Sequence, residues 1–440
     1  MKHSIKKSSK LFIYKIAAVA LALLTAFAIA RFSNTPDVNQ RGIVTMIGVD
    51  HHDEGVMVSC YMIISTPGIL ENEFRQELTS AVGNNLFEAL EKFNIAKGRK
   101  VEFSQCSLIV FGNEYCENGI LDTCTTLLSS NIVSGGILLL TTGGTAFDFI
   151  KDADDLGEQT TESIAGFITR FQHTLDMPML TLVSYLSGEL SESNAGFIPI
   201  VKFNGQSDYL KSKQLILSEE NKNGKNTDKK TETFAETQEQ PQPVEPNTEI
   251  APTDDNDNDD PQNIFSVNTA AVFNNGIKVG FLNQEEVLGL TLIRPESRRG
   301  RLSISDFTFE GEEPTAVFSD VRKKSVKTRT SFVDGKPKII YNLNLTLDVK
   351  TAFSHGYIVQ MGHTKKSNLY SNIETAFEAQ IKEYILSTIA AQNRLDTDFI
   401  NIYSRFNRTQ IRKLKNNPYN DVSDFLQDLE VEINVTVKAR

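Results

Sequence analysis

The chain is poor in cysteine, and its few cysteines are not arranged to bind a metal. Cys60, Cys106, Cys116 and Cys124 are the only four in 440 residues. None forms a C-x-x-C pair and no histidine stands at zinc-finger spacing, so we expect no zinc site. Two alternatives remain for the thiols: a disulfide, for example between Cys116 and Cys124, or buried free cysteines, which the apolar surroundings of Cys60 and Cys106 favour.

Sequence motifs of catalysis are also missing. The G-x-S-x-G, P-loop, H-E-x-x-H and dinucleotide-binding patterns are all absent. Gly143-Gly144 lacks the Lys-Ser/Thr that would hold a phosphate, so we interpret it as a turn at a strand end. His51-His52 stands among carboxylates, but adjacent side chains diverge, and a solvated turn explains the pair better than a metal site. The sequence predicts neither an enzyme nor a cofactor.

Negative charge exceeds positive charge, with 56 Asp/Glu against 45 Lys/Arg, which argues against nucleic acid as a partner. The net charge is −11, whereas binding to a phosphate backbone needs clustered Lys and Arg. Residues 219–262 hold 13 Asp/Glu, four Lys/Arg and five prolines, so we predict a disordered acidic linker there. Outside the N-terminus, Arg298, Arg299 and Arg301 form the only compact basic patch, and an exposed turn accounts for it.

Residues 1–35 have the pattern of a signal peptide or membrane anchor. Five lysines precede an apolar run from Ile16 to Ala30 that only Thr25 interrupts. Counted from Leu11, the run has 20 residues, enough to span a bilayer with Lys15 at its cytoplasmic side. Cleavage after Ala30 also fits the pattern, so removal and retention both stay open. Either way, the rest of the chain lies outside the cytoplasm.

Hydrophobic periodicity predicts a mixed α/β and α+β protein with several domains. Residues 36–218 read as a layered α/β domain: a hairpin over Gly42–Ser65, an amphipathic helix over 77–96, and buried strands at 106–111 and 137–141. Residues 263–325 form a small β-rich middle domain. In residues 326–440, a hairpin about Asp334-Gly335 and a terminal strand form an antiparallel sheet. A long amphipathic helix through Ile373 and Ile385 covers its apolar face.

The most specific block of the sequence lies between residues 271 and 289. It predicts a strand, a tight turn at Asn274-Asn275-Gly276, a second strand, and an apolar run that ends at a glycine. The residues that mark the block are Val272, Phe273, Gly276, Lys278, Val279, Gly280, Leu282, Glu285 and Gly289. After the long helix, Asp396 and Asp398 form an Asp-x-Asp step.

These pieces, in this order, resemble the Ger(x)C family of spore germination proteins, the C subunits of nutrient germinant receptors. Gly48-Val49-Asp50, Phe197-Ile198-Pro199 and the Asp396–Asp398 step are similar to further family landmarks. Two features depart from the family. The first cysteine, Cys60, lies inside the folded part, so no lipid-bearing cysteine follows the signal, and the family's C-terminal tryptophans are missing because the chain has no Trp.

The resemblance implies a non-enzymatic receptor subunit in the spore inner membrane, on its extracytoplasmic face. It implies as partners a polytopic A-type and a transporter-like B-type subunit, and a membrane bound through the N-terminal helix. An alternative is an extracytoplasmic ligand-binding sensor or cell-envelope assembly factor unrelated to spores. The sequence leaves open the germinant, the stoichiometry and the role of the acidic linker.

Overall fold

A computed structural model of the protein describes two β-sheets with helices packed on them. It describes residues 15–27, 41–66, 73–96, 100–155, 174–175, 180–203, 265–308, 315–354, 357–359, 367–416, 419 and 421–440. The acidic segment 219–262, which the sequence predicts to be disordered, lies outside these residues.

The first sheet contains nine of the described strands. Its elements are β1 Arg41–His52, β2 Gly55–Thr66, β3 Glu73–Gly83, α2 Leu86–Ala96, β4 Lys100–Glu102, β5 Leu108–Phe111, α3 Asn113–Asn118, α4 Leu121–Ser129, β6 Leu138–Thr142, α5 Ala146–Asp155, α6 Leu182–Glu189, β7 Ala195–Phe203, β8 Phe265–Asn274 and β9 Ile277–Leu282; α1 is residues 15–27. The strand order is β3-β2-β1-β5-β6-β7-β8-β9, with β4 also beside β1. Strands β1, β5, β6 and β7 are parallel. Antiparallel strands extend the sheet at both sides, so the layered α/β prediction holds in outline.

The helix predicted over 77–96 is wrong in its first part. Residues through Gly83 form β3, which pairs along β2, and the helix starts only at Leu86. Asn84 and Asn85 separate the two elements, because the Asn85 side chain accepts a hydrogen bond from the Glu88 N–H at 3.0 Å and Glu88 Oε2 accepts one from the Asn84 N–H at 3.0 Å. These reciprocal bonds fix the helix start.

Strands β8 and β9 belong to the first sheet although 61 residues separate β8 from β7 in the sequence. The two strands pair from Ala195 opposite Asn274 to Phe203 opposite Phe265. Sheet membership therefore does not follow the predicted boundary of the middle domain at 263–325: its first hairpin completes the first sheet, and its last strand joins the second. The division of the chain into domains itself stays a prediction.

The second sheet is built on a hairpin of two 19-residue strands. Its elements are α7 Gln284–Ile293, β10 Arg301–Phe307, β11 Thr315–Val333, β12 Lys336–Ser354, β13 Tyr357–Val359, α8 Ser367–Arg394, α9 Ile402–Thr409, α10 Ile411–Asn416, α11 Val422–Asp428 and β14 Glu430–Ala439. Strands β10 to β13 pair antiparallel in order. The predicted hairpin about Asp334-Gly335 is confirmed, both turn residues having positive φ.

The predicted sheet differs from the structure in its last strand. Strand β14 lies beside β12 and runs parallel to it, because the helices between them return the chain to the end where β12 began. The prediction that the long helix covers the apolar face is confirmed. Ile373, Phe377, Ile381 and Ile385 of α8 are fully buried against that face. Each contributes on the order of 1.5–3 kcal/mol of hydrophobic stabilisation.

Two carboxylates close the outer edge of β14. The Val437 N–H donates to Glu378 Oε1 at 2.9 Å, and the Ala439 N–H donates to Glu374 Oε1 at 2.8 Å. Both glutamates come from α8. These N–H groups, which an edge strand normally leaves open, are thereby satisfied within the chain.

The N-terminal segment contributes an exposed helix at residues 15–27. Its large apolar side chains, such as Val19, Leu23 and Phe27, are 60–67% exposed. No helix within the described residues has both the length and the apolar character that a membrane crossing requires.

Candidate functional site between the two sheets

We call the first sheet with its helices, through β9, the first half and the second sheet with its helices, from α7 onward, the second half. Asp398 is the charged residue at the centre of the contact between these halves. Its carboxylate accepts hydrogen bonds from the Ile402 N–H at 2.8 Å and the Tyr403 N–H at 2.7 Å, which are the first free donors of α9. The side chain is only 1% exposed. Burial raises the pKa of Asp398 to about 6, although these hydrogen bonds oppose the rise.

A loop of the first half completes this cluster. Ser193 Oγ donates to Asp398 Oδ2 at 2.6 Å and lies 3.1 Å from Ser404 Oγ. Glu192 accepts from Ser404 Oγ at 3.1 Å and from Asn407 Nδ2 at 2.6 Å. We name Glu192, Ser193, Asp398 and Ser404 the polar seam. It joins residues more than 200 positions apart in the sequence, so the two halves are held in one orientation by satisfied polar groups, of which Ser193, Asp398 and Ser404 are buried.

The turn of the β8–β9 hairpin is fixed by a second buried carboxylate. Asn275 and Gly276 both have positive φ, as a two-residue hairpin turn requires. The Gly276 N–H donates to Glu189 Oε2 at 2.8 Å, and its carbonyl accepts from the Ile120 N–H at 2.9 Å. Burial raises the pKa of Glu189 to about 7. A Cβ at Gly276 would overlap Leu121, so the turn packs directly on α4.

The remaining marked residues of the hairpin divide between core and surface. Val272, Phe273 and Leu282 are fully buried, whereas Val279 is 43% exposed. Lys278 Nζ reaches α3, where it contacts Asn113 Oδ1 and lies 3.4 Å from Glu117 Oε1. These positions hold the hairpin against the sheet.

Glu286, and not its neighbour Glu285 that the sequence marked, makes the contact between α7 and α8. Glu285 is exposed. Glu286 is 3% exposed and forms a capping box with Asn283. It also accepts from Arg394 Nη1 at 2.7 Å, and Arg394 Nη2 donates to the Phe281 carbonyl at 3.3 Å. The N-x-x-E pattern at Asn283 was the signal that could have identified this helix start.

Two glycines allow close contacts with α8 and with the residue that follows it. Gly289 of α7 faces α8, and Gly280 of the β8–β9 hairpin faces Leu395. A Cβ at Gly289 would overlap the Tyr384 carbonyl oxygen and Thr388 Oγ1, and one at Gly280 would overlap Leu395. Asp396 has a φ of 47° and is exposed, so it turns the chain toward Asp398. Gly280 and Asp398 thus lie at the contact between the halves, and Gly289 and the Glu286–Arg394 pair lie at the adjoining crossing of α7 and α8.

A cleft of about 340 Å³ opens beside the polar seam. Its walls include Tyr185 and Phe197 from the first half and Phe399 and Arg408 from the second. Arg294 lies over the Phe197 ring with its Cζ atom 5.1 Å from the centroid. The cleft is therefore formed by both halves and depends on their relative position.

The other candidates from the sequence form no common site. Asp50 points away from the adjacent histidines: it accepts from the Ala146 N–H at 2.6 Å and the Phe147 N–H at 2.8 Å, so it fills the N-terminus of α5 after Gly143-Gly144. Burial raises the pKa of Asp50. Within the described residues, no three His, Cys, Asp or Glu side chains are grouped as a metal site needs. The four cysteines are buried free thiols.

Comparison with known proteins places these features in a family. The family described as "Spore germination protein N-terminal domain" matches residues 34–203. The one described as "Spore germination B3/ GerAC like, C-terminal" matches residues 268–440. The chain belongs to the Ger(x)C family of spore germination proteins. The resemblance seen in the sequence is confirmed.

One solved structure and no curated protein accompany the family matches. The crystal structure titled "Crystal Structure of the GerBC protein" is similar over 89% of this chain and 96% of that chain, with 12% sequence identity and a TM-score of 0.47. None of the curated proteins compared with this chain matches it.

Proposed function

We propose that this Ger(x)C protein is the non-enzymatic C-type subunit of a nutrient germinant receptor, acting through contacts with A-type and B-type membrane subunits. The observation that carries the proposal is the match of both family domains, in order, to residues 34–203 and 268–440. The polar seam supports it, because a subunit that works by docking needs its surfaces in a fixed arrangement.

The proposal includes a location at the extracytoplasmic face of the spore inner membrane. The N-terminal segment, predicted to span over residues 11–31, is the anchor. The exposed apolar side chains of α1, among them Leu21 and Leu24, support this role, since a bilayer would remove them from water. The anchor replaces the lipid-bearing cysteine that the sequence lacks.

Deletion of the gene in the native spore former tests the proposal. In a strain without redundant receptors, we expect the release of dipicolinate after nutrient addition to be lost and to return with the wild-type gene. The doubly substituted Leu21→Lys, Leu24→Lys chain should fail to restore it and should leave the membrane fraction, because each central lysine costs about 2.5–3.5 kcal/mol in a spanning helix.

The matched control is Leu21→Ile, Leu24→Ile, which keeps the segment apolar and should restore both location and germination. Unchanged dipicolinate release in the deletion strain would overturn the proposed function. Restoration by the lysine variant would overturn the proposed anchor alone.

A further inference from the structure

Strand β9 lies at one border of the first sheet and shows an inverted pattern of exposure. Its alternate residues Ile277, Val279 and Phe281 are 47%, 43% and 61% exposed; we name them the apolar row. Lys278 and Gly280, which stand between them, are less exposed. A strand with one side in water normally carries polar side chains at its exposed alternate positions. In β9 the exposed positions are apolar, and the covered positions hold a lysine and a glycine.

Neighbouring elements account for the two covered positions. Lys278 Nζ contacts Asn113 Oδ1 and lies 3.4 Å from Glu117 Oε1, both of α3. Gly280 faces Leu395 so closely that a Cβ would overlap it. These contacts fix β9 through its polar and small residues. Within the described part of the chain, β8 is the only strand that pairs with β9, so the other border of β9 is open.

This border differs from two other strand borders of the protein. At β14, two glutamates of α8 accept hydrogen bonds from the N–H groups of the strand. At β3, the opposite border of the first sheet, the Lys92 ammonium group donates to the Val82 carbonyl at 2.8 Å. Charged groups of this kind protect a strand border from pairing with another chain. The charge of β9 itself gives little protection, because Lys278 is paired with Glu117.

One backbone group of β9 is already engaged by a side chain. The Phe281 carbonyl accepts a hydrogen bond from Arg394 Nη2 at 3.3 Å. A carbonyl oxygen has two lone pairs and can accept a second hydrogen bond. Arg394 also binds Glu286 at 2.7 Å, so its charge is neutralised. Because an edge strand directs alternate N–H and C=O groups away from its partner, this one contact does not close the border.

Exposed carboxylates stand at both ends of β9. Two come from α3, which contacts Lys278, and two lie near Leu282 and Leu395. We name these four residues the acidic rim: Glu114, Glu117, Glu285 and Asp396. Only Glu117 is neutralised by a lysine of the strand, and Glu114 lies 3.4 Å from His51 Nδ1. The surroundings of the apolar row therefore carry net negative charge.

We infer that β9 takes an extended segment of another polypeptide as a further strand of the first sheet. A ladder of backbone hydrogen bonds supplies affinity in such a contact, and alternate side chains supply specificity. The apolar row fits a segment with apolar side chains at alternate positions. The acidic rim fits basic side chains in the same segment, so the partner is a basic amphipathic strand. The inference concerns this surface alone and does not depend on the proposed receptor role.

The test is the binding of a synthetic peptide to the full-length chain in phosphatidylcholine nanodiscs. The peptide has about nine residues, an ordinary strand length, with lysine and valine alternating. Fluorescence anisotropy of the labelled peptide should show saturable binding that empty nanodiscs lack. Hydrogen–deuterium exchange at residues 277–281 should slow on binding, because paired amides are protected. A peptide methylated at alternate backbone nitrogens should bind about five-fold more weakly for each hydrogen bond lost.

Charge variants make the result specific to β9. Val279→Lys places a charge in the apolar row and should weaken binding about ten-fold or more, because it repels the lysines of the peptide. The matched control is Phe87→Lys, at a side chain 53% exposed on α2 beside the opposite border, and it should bind like the wild type. Both replaced side chains are exposed, so both variants should fold, which urea denaturation checks. A peptide that alternates glutamate and valine should not bind, because the acidic rim repels it.

Four results would overturn the inference: no binding of the lysine–valine peptide, equal binding of the methylated peptide, equal effects of the two lysine substitutions, or protection from exchange outside residues 277–281 only. Slow exchange at residues 277–281 without peptide, together with dimers in gel filtration, would also overturn it, because a second copy of the chain would then be the occupant. None of these measurements involves germination, so each leaves the proposed receptor role to its own test.

Discussion

Asp396 and Asp398 carry the same side chain two positions apart and have different roles. Asp396 is exposed and supplies a positive φ, whereas Asp398 is buried and accepts hydrogen bonds from both halves. The Asp-x-Asp step was visible in the sequence. Its partner Ser193 was not, because no local pattern announces a hydrogen bond across 205 positions. The sequence therefore identified Asp398 but did not predict its hydrogen bond with Ser193.

The buried carboxyl predicts an effect on stability that depends on pH. We expect Asp398→Asn to lower the free energy of unfolding by about 1–3 kcal/mol at pH 7.5, because the amide nitrogen would face a backbone N–H instead of accepting from it. The raised folded pKa of about 6 means that the wild type gains stability as pH falls from 6 toward 4, where the unfolded carboxyl protonates. The variant lacks this gain, so the difference should grow by up to about 3 kcal/mol.

Urea denaturation at several pH values measures this difference. Asp396→Asn is the matched control, since asparagine also adopts positive φ readily; it should change stability by less than about 0.5 kcal/mol at every pH. Equal effects of the two substitutions, or a difference independent of pH, would contradict the assignment.

At the level of elements, α7 and α8 can cross as closely as they do because Gly289 has no side chain. Seven of the ten residues of α7 are buried, so its sequence shows no amphipathic pattern and was read only as an apolar run. For β3 the error was to predict a helix where the structure has a strand, over residues 77–83. Leu78, Val82 and Leu86 are four apart, a spacing that suits one helix face and equally one strand face. The asparagines at 84 and 85 marked the true boundary.

We expect Gly289→Ala to destabilise the protein by about 1–3 kcal/mol, because the added methyl group overpacks the helix crossing. This sign is opposite to the gain of about 1 kcal/mol that alanine gives over glycine in an unobstructed helix. Thermal or urea unfolding measures it. Gly144→Ala, where a Cβ would meet nothing within 4 Å, should be close to neutral. A stabilised Gly289→Ala variant would show that the helices do not approach as closely as described.

For the whole molecule, the two family regions and the two sheets do not coincide. The C-terminal region begins at residue 268, yet β8 and β9 lie in the first sheet. The sequence placed the elements of both halves. It did not predict which sheet the 265–282 hairpin would join, because strand pairing across 61 residues leaves no periodic signal.

Because β8 and β9 complete the first sheet from the C-terminal side of the 219–262 segment, we predict that fragments 1–240 and 241–440 stay together without a covalent connection. A protease site inserted after residue 240 and then cleaved should leave the two fragments co-eluting in native gel filtration and separating in denaturant. The reason is that the β7–β8 pairing and the polar seam both hold across the cut. Separation under native conditions would show that the covalent link between residues 240 and 241, and not these contacts, holds the two fragments together.

Glu374 and Glu378, which accept hydrogen bonds from the outer edge of β14, affect how copies of the protein can meet when they are crowded together. Under the proposed membrane anchoring, copies of the chain would meet repeatedly at high local density, and an open strand border would let one copy recruit the next into a growing ribbon. Glu374 and Glu378 occupy the donors that such recruitment would use at residues 437 and 439. We therefore expect the 437–439 end of that border to resist pairing with a second copy.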